Sequence, residues 1–155
     1  MAKTIMNEAD LEATLSNIAR DVIYEVTEKT YDRLQEIIQE KVYDAHIPNW
    51  YARLEDDGGL KGAWVYNVEG GKKTITGEVK HMPMLMIYNP ENYQHGSYAF
   101  GDVRDSVASY IEAGFGWGVG RRPFWATMIE ELDRGSLDRW IMDGFKKRGL
   151  KIRKV

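Results

Sequence analysis

NEADLEATLSNIARDVIYEVTEKTYDRLQEIIQEKVYD, residues 7–44, sets the architecture of this chain. No Pro or Gly interrupts it, and Glu, Lys, Leu, Ala and Ile dominate. That composition predicts one long N-terminal helix from Asn7 to Asp44. At 1.5 Å per residue it would span roughly 55 Å, long for a chain of 155 residues. Leu11, Leu15, Ile18, Val22 and Val26 follow a 3–4 spacing on one face. Tyr31, Leu34, Ile38 and Val42 also keep helical spacing, but point roughly opposite to the first set. Two explanations stand: a break near Thr27–Thr30, where β-branched residues weaken a helix, or one helix burying two faces against different neighbours. The second would place Leu34 and Ile38 in an interface with another subunit.

Outward from the helix, His46-Ile47-Pro48 ends it, because a residue before proline avoids the α region. Asp56-Asp57-Gly58-Gly59 reads as a turn. Residues 60–88 read as a β-hairpin region. Trp64, Tyr66 and Val68 alternate with Ala63, Val65 and Asn67, as in a strand with both faces partly covered. Glu69-Gly70-Gly71-Lys72 is the hairpin turn. The return strand runs from Thr74 to about His81, with Ile75 and Val79 on one face. Met82–Tyr88 is apolar, and Pro83 favours an edge or a bend.

Residues 89–120 read as loops and a short helix. Asn89–Phe100 is polar, tyrosine-rich and without periodicity. Asp102 is placed to cap a helix carrying Val103, Val107, Tyr110 and Ile111, with Gly114 just past its end. Residues 121–155 hold C-terminal helices and a basic tail. Pro123 suits the first turn of a helix with Phe124, Met128, Ile129 and Leu132 inward. Gly135-Ser136 stops it and caps a last helix with Leu137, Trp140, Ile141 and Phe145. Leu150–Val155 is expected to add a short strand. The fold class is thus α+β in a single domain, 1–155: a long N-terminal helix packed on a small antiparallel sheet, with further short helices in the C-terminal half.

The totals bound the function. Forty-three per cent apolar residues and five tryptophans describe a globular chain rather than a disordered one. With no cysteine, disulfides and thiolate metal sites are excluded. No apolar stretch approaches the ~20 residues that cross a bilayer, and no secretory signal is visible, so neither membrane insertion nor export is expected. His46, His81 and His95 fall in no metal-ligand spacing, so no metal is expected. No serine lies in a Gly-x-Ser-x-Gly elbow, and no carboxylate pair stands out from the solvated acids. Neither catalytic residues nor a cofactor are expected, and the chain reads as no enzyme.

Gly114, Gly116, Gly118 and Gly120 alternate before Arg121-Arg122-Pro123. Glycines ahead of a helix N-terminus can cradle an anion. But no Gly-Lys-Ser/Thr follows, and the run comes after a helix rather than a strand. The reading preferred is a loop holding Phe115 and Trp117, ordered on assembly. Trp64, Trp125 and Trp140 sit at core spacing. Trp50, Tyr93, Tyr98, Phe115 and Trp117 lie in loops and are candidate interface anchors. Lys146, Lys147, Arg148, Lys151, Arg153 and Lys154 close the chain with no acid among them; removing these six charges from the net −3 leaves −9 on residues 1–145. Such a tail suits nucleic acid, an acidic protein surface or a solvated helix end.

The motif order is familiar. After the long helix come Trp50-Tyr51-Ala52-Arg53 and Gly58-Gly59-Leu60-Lys61-Gly62-Ala63-Trp64. A hairpin and a tyrosine-rich loop follow, then Arg121-Arg122-Pro123-Phe124-Trp125-Ala126. This arrangement resembles the neck, or tail-completion, proteins of siphophages, also called head–tail joining or minor structural proteins. Leu54–Asp57 and the Asn89–Gly120 region are longer here than in that pattern. The resemblance implies a virion structural protein, made in the host cytoplasm, forming a homo-oligomeric ring, a hexamer, between head-connector and tail proteins. Genome DNA would pass nearby without specific binding. The rival reading is a nucleic-acid-binding module that uses the basic tail.

Overall fold

A computed structural model describes residues 7–45, 58–87, 104–114 and 120–153. The fold is α+β. Helix α1 (Glu8–Ile38) is followed by an antiparallel pair, β1 (Trp64–Gly70) and β2 (Ile75–His81). Helices α2 (Arg104–Ala113), α3 (Phe124–Glu131) and α4 (Leu137–Lys147) complete it.

Helix α1 begins where the Asn7 Oδ1 accepts the Asp10 N–H at 2.9 Å, which satisfies one of the first-turn donors. Glu8 and Asp10 add negative charge at the positive end of the helix dipole. The expected break at Thr27–Thr30 does not occur. The Thr27 and Thr30 hydroxyls donate to the carbonyls of Ile23 and Val26, four residues back, at 2.7 and 2.8 Å. Such back-bonds do not strengthen a helix, but they satisfy the hydroxyls, and the backbone continues because this stretch is packed, with Val26 and Thr27 buried. The helix then widens into a π-turn over Gln39–Tyr43, closed by the Asp44 N–H on the Gln39 carbonyl at 2.8 Å. This wider turn buries Val42 and Tyr43 side by side.

The hairpin turn, Gly71–Thr74, sits two residues later than the Glu69–Lys72 turn that the sequence suggests. The Gly71 N–H donates to the Thr74 carbonyl at 3.0 Å. Gly70 lies in β1 at φ 128°, where a Cβ would collide with the Thr74 carbonyl oxygen, so this position needs glycine. In β1 only one face is covered: Trp64, Tyr66 and Val68 turn inward while Val65 and Asn67 are exposed. Residues 150–153 form no strand.

The chain divides into two compact units. The first comprises residues 1–31, 66–79 and 131–155. In it, α1 contributes Val22, Val26 and Thr27 to the buried set. Gly77 on β2 lies so close to Thr27 and Ile23 that a Cβ would overlap the Thr27 hydroxyl. Gly144 on α4 also lies close to Val22, where an added Cβ would stand 2.8 Å from Cγ1. Tyr66 packs edge-on to Tyr24 and tilted on Tyr31. Its hydroxyl donates to Glu28 Oε1 at 3.1 Å. These bonds to Tyr24 and Glu28 push the Tyr66 pKa well above the ordinary phenol value.

The second unit comprises residues 32–65 and 80–130. Its core is Leu34, Ile37, Ile38, Val42, Tyr43, Leu60, Ala63, Trp64, Phe124 and Met128. Complete burial of Phe124 or Met128 is worth about 1.5–3 kcal/mol each. Polar bonds tie the segments together: Leu60 N–H to the Tyr43 hydroxyl at 3.1 Å, Gln35 Nε2 to the Lys61 carbonyl at 3.1 Å, and Met82 N–H to the Ala63 carbonyl at 2.6 Å. Gly114, at φ 78°, ends α2 as the sequence predicts.

Candidate interaction surfaces

Leu34 and Ile38, expected at a subunit interface, are 0% exposed. They belong to the chain's own core beside Ile37. Ile37 falls between the two apolar sets around the helix, so the covered face swings round gradually rather than jumping to the opposite side. Trp50, Tyr93, Tyr98, Phe115, Trp117 and Lys154 lie outside the described residues, as do Asp102, Asn89–Phe100 and residues 115–119.

The second unit carries an aromatic cleft. Pro123 immediately precedes α3, whose first two residues are Phe124 and Trp125. Trp125 stacks on Trp64, with ring centroids 5.3 Å apart and planes 16° from parallel. Phe124 meets Trp64 edge-on at 6.2 Å, and His81 lies against the same indole at 4.8 Å. The open side is a cleft of about 190 Å³ lined by Trp64, Ala108, Ser109, Glu112, Phe124 and Trp125. Trp64 is buried, but Trp125 keeps more than a third of its surface in water, so the expectation that it is core is half right.

The charged group in that cleft has a structural task. Both Glu112 carboxylate oxygens accept first-turn amides of α3, from Trp125 at 2.9 Å and Ala126 at 3.1 Å. A residue on α2 thus caps α3 from outside it, a bond that sequence spacing gives no hint of. Trp64 Nε1 and His81 Nε2 are buried without a hydrogen-bond partner among the described residues. Burial holds the His81 pKa below its ordinary value, partly countered by Asp105, so the ring is neutral near pH 7. Among the described residues no three metal-type ligands cluster. No described helix is long and apolar enough to cross a membrane.

The first unit offers two further surfaces. One is the N-terminal part of the α1 stripe: Leu11 and Leu15 are 43% and 42% exposed, whereas Val22, on the same face, is fully covered. The other is the basic end. Arg148 is spoken for within the chain, donating from both terminal nitrogens to Glu25 at 2.7 and 3.2 Å and to the Gly144 carbonyl at 3.1 Å. The bond from Arg148 holds the Glu25 carboxyl below its usual range. Lys146, Lys147, Lys151 and Arg153 are exposed. One α1 lysine also meets the last helix, with Lys29 Nζ 4.9 Å from the centre of the Trp140 ring.

The described residues form a small α+β protein that carries candidate interaction surfaces. The profile of the YomN family matches residues 7–147, and the chain belongs to that phage-derived, Bacillus prophage-like family. No curated protein and no solved structure matches it.

Proposed function

We propose that this chain is a virion structural protein that forms a homo-oligomeric ring, with six subunits, at the neck or tail-completion position joining head to tail. The observation that carries the reading is the pairing of phage-derived family membership with an apolar helix face left uncovered at Leu11 and Leu15. Leu11 and Leu15 continue the stripe that α4 covers at Val22, so a partner that extended this cover would bury them. The order of motifs around the long helix, which resembles that of siphophage neck proteins, is what suggests the position. In this role the protein is no enzyme. It meets head-connector and tail proteins, resides in the virion after synthesis in the host cytoplasm, and lets DNA pass without specific binding.

The test is native mass spectrometry and negative-stain imaging of the full chain, with immunogold labelling of the parent particle. Closed rings and label at the head–tail joint are expected. Label on the capsid shell or the tail tip, or no label on the particle, refutes the assignment.

The exposed Lys146, Lys147, Lys151 and Arg153 favour one second reading, a nucleic-acid-binding module. Anisotropy with duplex DNA at about 0.15 M salt separates the two, because screening there reaches about 8 Å. Submicromolar binding lost on deletion of Lys151–Val155 supports this second reading and counts against the first.

A further inference from the structure

We infer that the exposed Leu11/Leu15 face of α1 is the receptor for the basic C-terminal segment, Lys146–Arg153, of a second copy of this chain, in a head-to-tail contact. The inference rests on the ring reading and names the two faces that would build it.

The face is specific in chemistry. Leu11, Leu15, Ile18 and Val22 recur at spacings of four, three and four, the pattern of a helix seam that packs against another chain segment. At Val22 the seam is occupied by α4 through Gly144, and on its rim Glu25 holds Arg148. Toward the N-terminus the seam continues, but its cover does not: Leu11 and Leu15 stand in water. Residues 7–28 carry six acids and one base. On a helical projection Glu8 and Glu12 border the leucines on one side, and Asp10 and Asp21 on the other. All four are exposed.

Charge then selects the occupant. Two copies of this face set against each other would bring acidic rim to acidic rim, which costs free energy. The complement is an apolar residue flanked by bases. Among the described residues such a surface lies at the other end: Lys151-Ile152-Arg153 are all exposed, Ile152 at 36%, with Lys146 and Lys147 nearby on α4. The Glu25–Arg148 pair shows the same chemistry inside one chain, an α1 carboxylate taking a base from the C-terminal end. Because the two faces differ, the contact is heterologous. Repetition then closes a ring or grows a filament rather than stopping at a dimer.

Four full-length proteins test this by sedimentation velocity and native mass spectrometry, with far-UV circular dichroism to confirm folding. Leu11→Glu/Leu15→Glu spoils the receptor. Lys151→Glu/Arg153→Glu spoils the tail. The wild type is expected as a higher oligomer that weakens as salt rises. Each variant alone is expected as a folded monomer. Mixed together, they are expected to form 1:1 heterodimers and nothing larger, because each retains the one face the other needs. Adding Glu8→Lys/Glu12→Lys to the spoiled tail restores higher oligomers. Wild-type oligomers that both variants preserve overturn the face assignment and leave the ring reading intact. A wild type that stays monomeric at high concentration overturns both. Variant monomers that fail to pair on mixing overturn the head-to-tail geometry.

Discussion

Replacing Gly144 by alanine tests how closely the last helix approaches the first. In most helices this change stabilises, since alanine in a helix interior is favoured over glycine by roughly 1 kcal/mol. Here an added Cβ would stand 2.8 Å from Val22 Cγ1 and 3.3 Å from Cγ2. Val22 is fully buried and β-branched, with essentially one side-chain rotamer open to it in a helix, so it cannot swing aside. The helices must separate instead, and overpacking of this kind costs about 1–3 kcal/mol. The clash outweighs the propensity, so Gly144→Ala is expected to lose about 1 kcal/mol, or roughly 2–4 °C in Tm for a chain of this size. Val22→Ala alone also destabilises, by lost burial of about 0.8 kcal/mol per methylene plus a cavity. Together the two changes fit one another, and the double variant should be more stable than the sum of the singles by about 0.5–2 kcal/mol. Urea denaturation of the four proteins measures the cycle. A Gly144→Ala variant that gains stability, with additive effects in the double, refutes the close approach.

Two further outcomes follow from the second unit. His81 has a folded-state pKa below its unfolded value, because burial penalises the charged ring. The unfolded chain therefore binds the proton first, and stability falls as pH drops from about 6.5 through the lower folded value. His81→Phe should flatten Tm between about pH 5 and pH 7; an unchanged slope shows that another group is responsible. Glu112→Ala leaves two first-turn amides of α3 without their acceptor and should cost about 1–2 kcal/mol, while Glu112→Gln, which can still accept, loses less. Equal losses in calorimetry for Ala and Gln show that the bonds are not what matters.

The fold was legible wherever periodicity and turn chemistry act locally. The helix of residues 8–38, the hairpin around Gly70–Gly71, the glycine stop at Gly114 and the proline before Phe124 all follow from short-range rules. What the sequence concealed is where packing and side-chain bonds override propensity. Thr27 and Thr30 weaken a helix by rank, yet Val26 and Thr27 are buried and their packing holds the helix, so no break forms. The π-turn at Gln39–Tyr43 has no signature in spacing because it adds one residue to a turn. Glu112 capping α3 joins residues 13 and 14 positions apart, which no local pattern anticipates.

Two of the residues expected at an interface, Leu34 and Ile38, lie in the chain's own core for a related reason. Two apolar stripes on one helix suggest two partners only if the chain supplies too little cover, and here it covers the half expected to be free. Leu34 and Ile38 are the centre of the second unit's own core, so charge there would unfold the chain rather than release a neighbour. On the other stripe Val22 and Val26 are covered, while Leu11 and Leu15 stand in water. Hydrophobic spacing identifies a face that needs cover. It carries no information about which chain provides the cover. The charges beside each stripe do: leucines between acidic rims at one end of the chain match an isoleucine between bases at the other, and the pairing of Glu25 with Arg148 links the same two ends within one subunit.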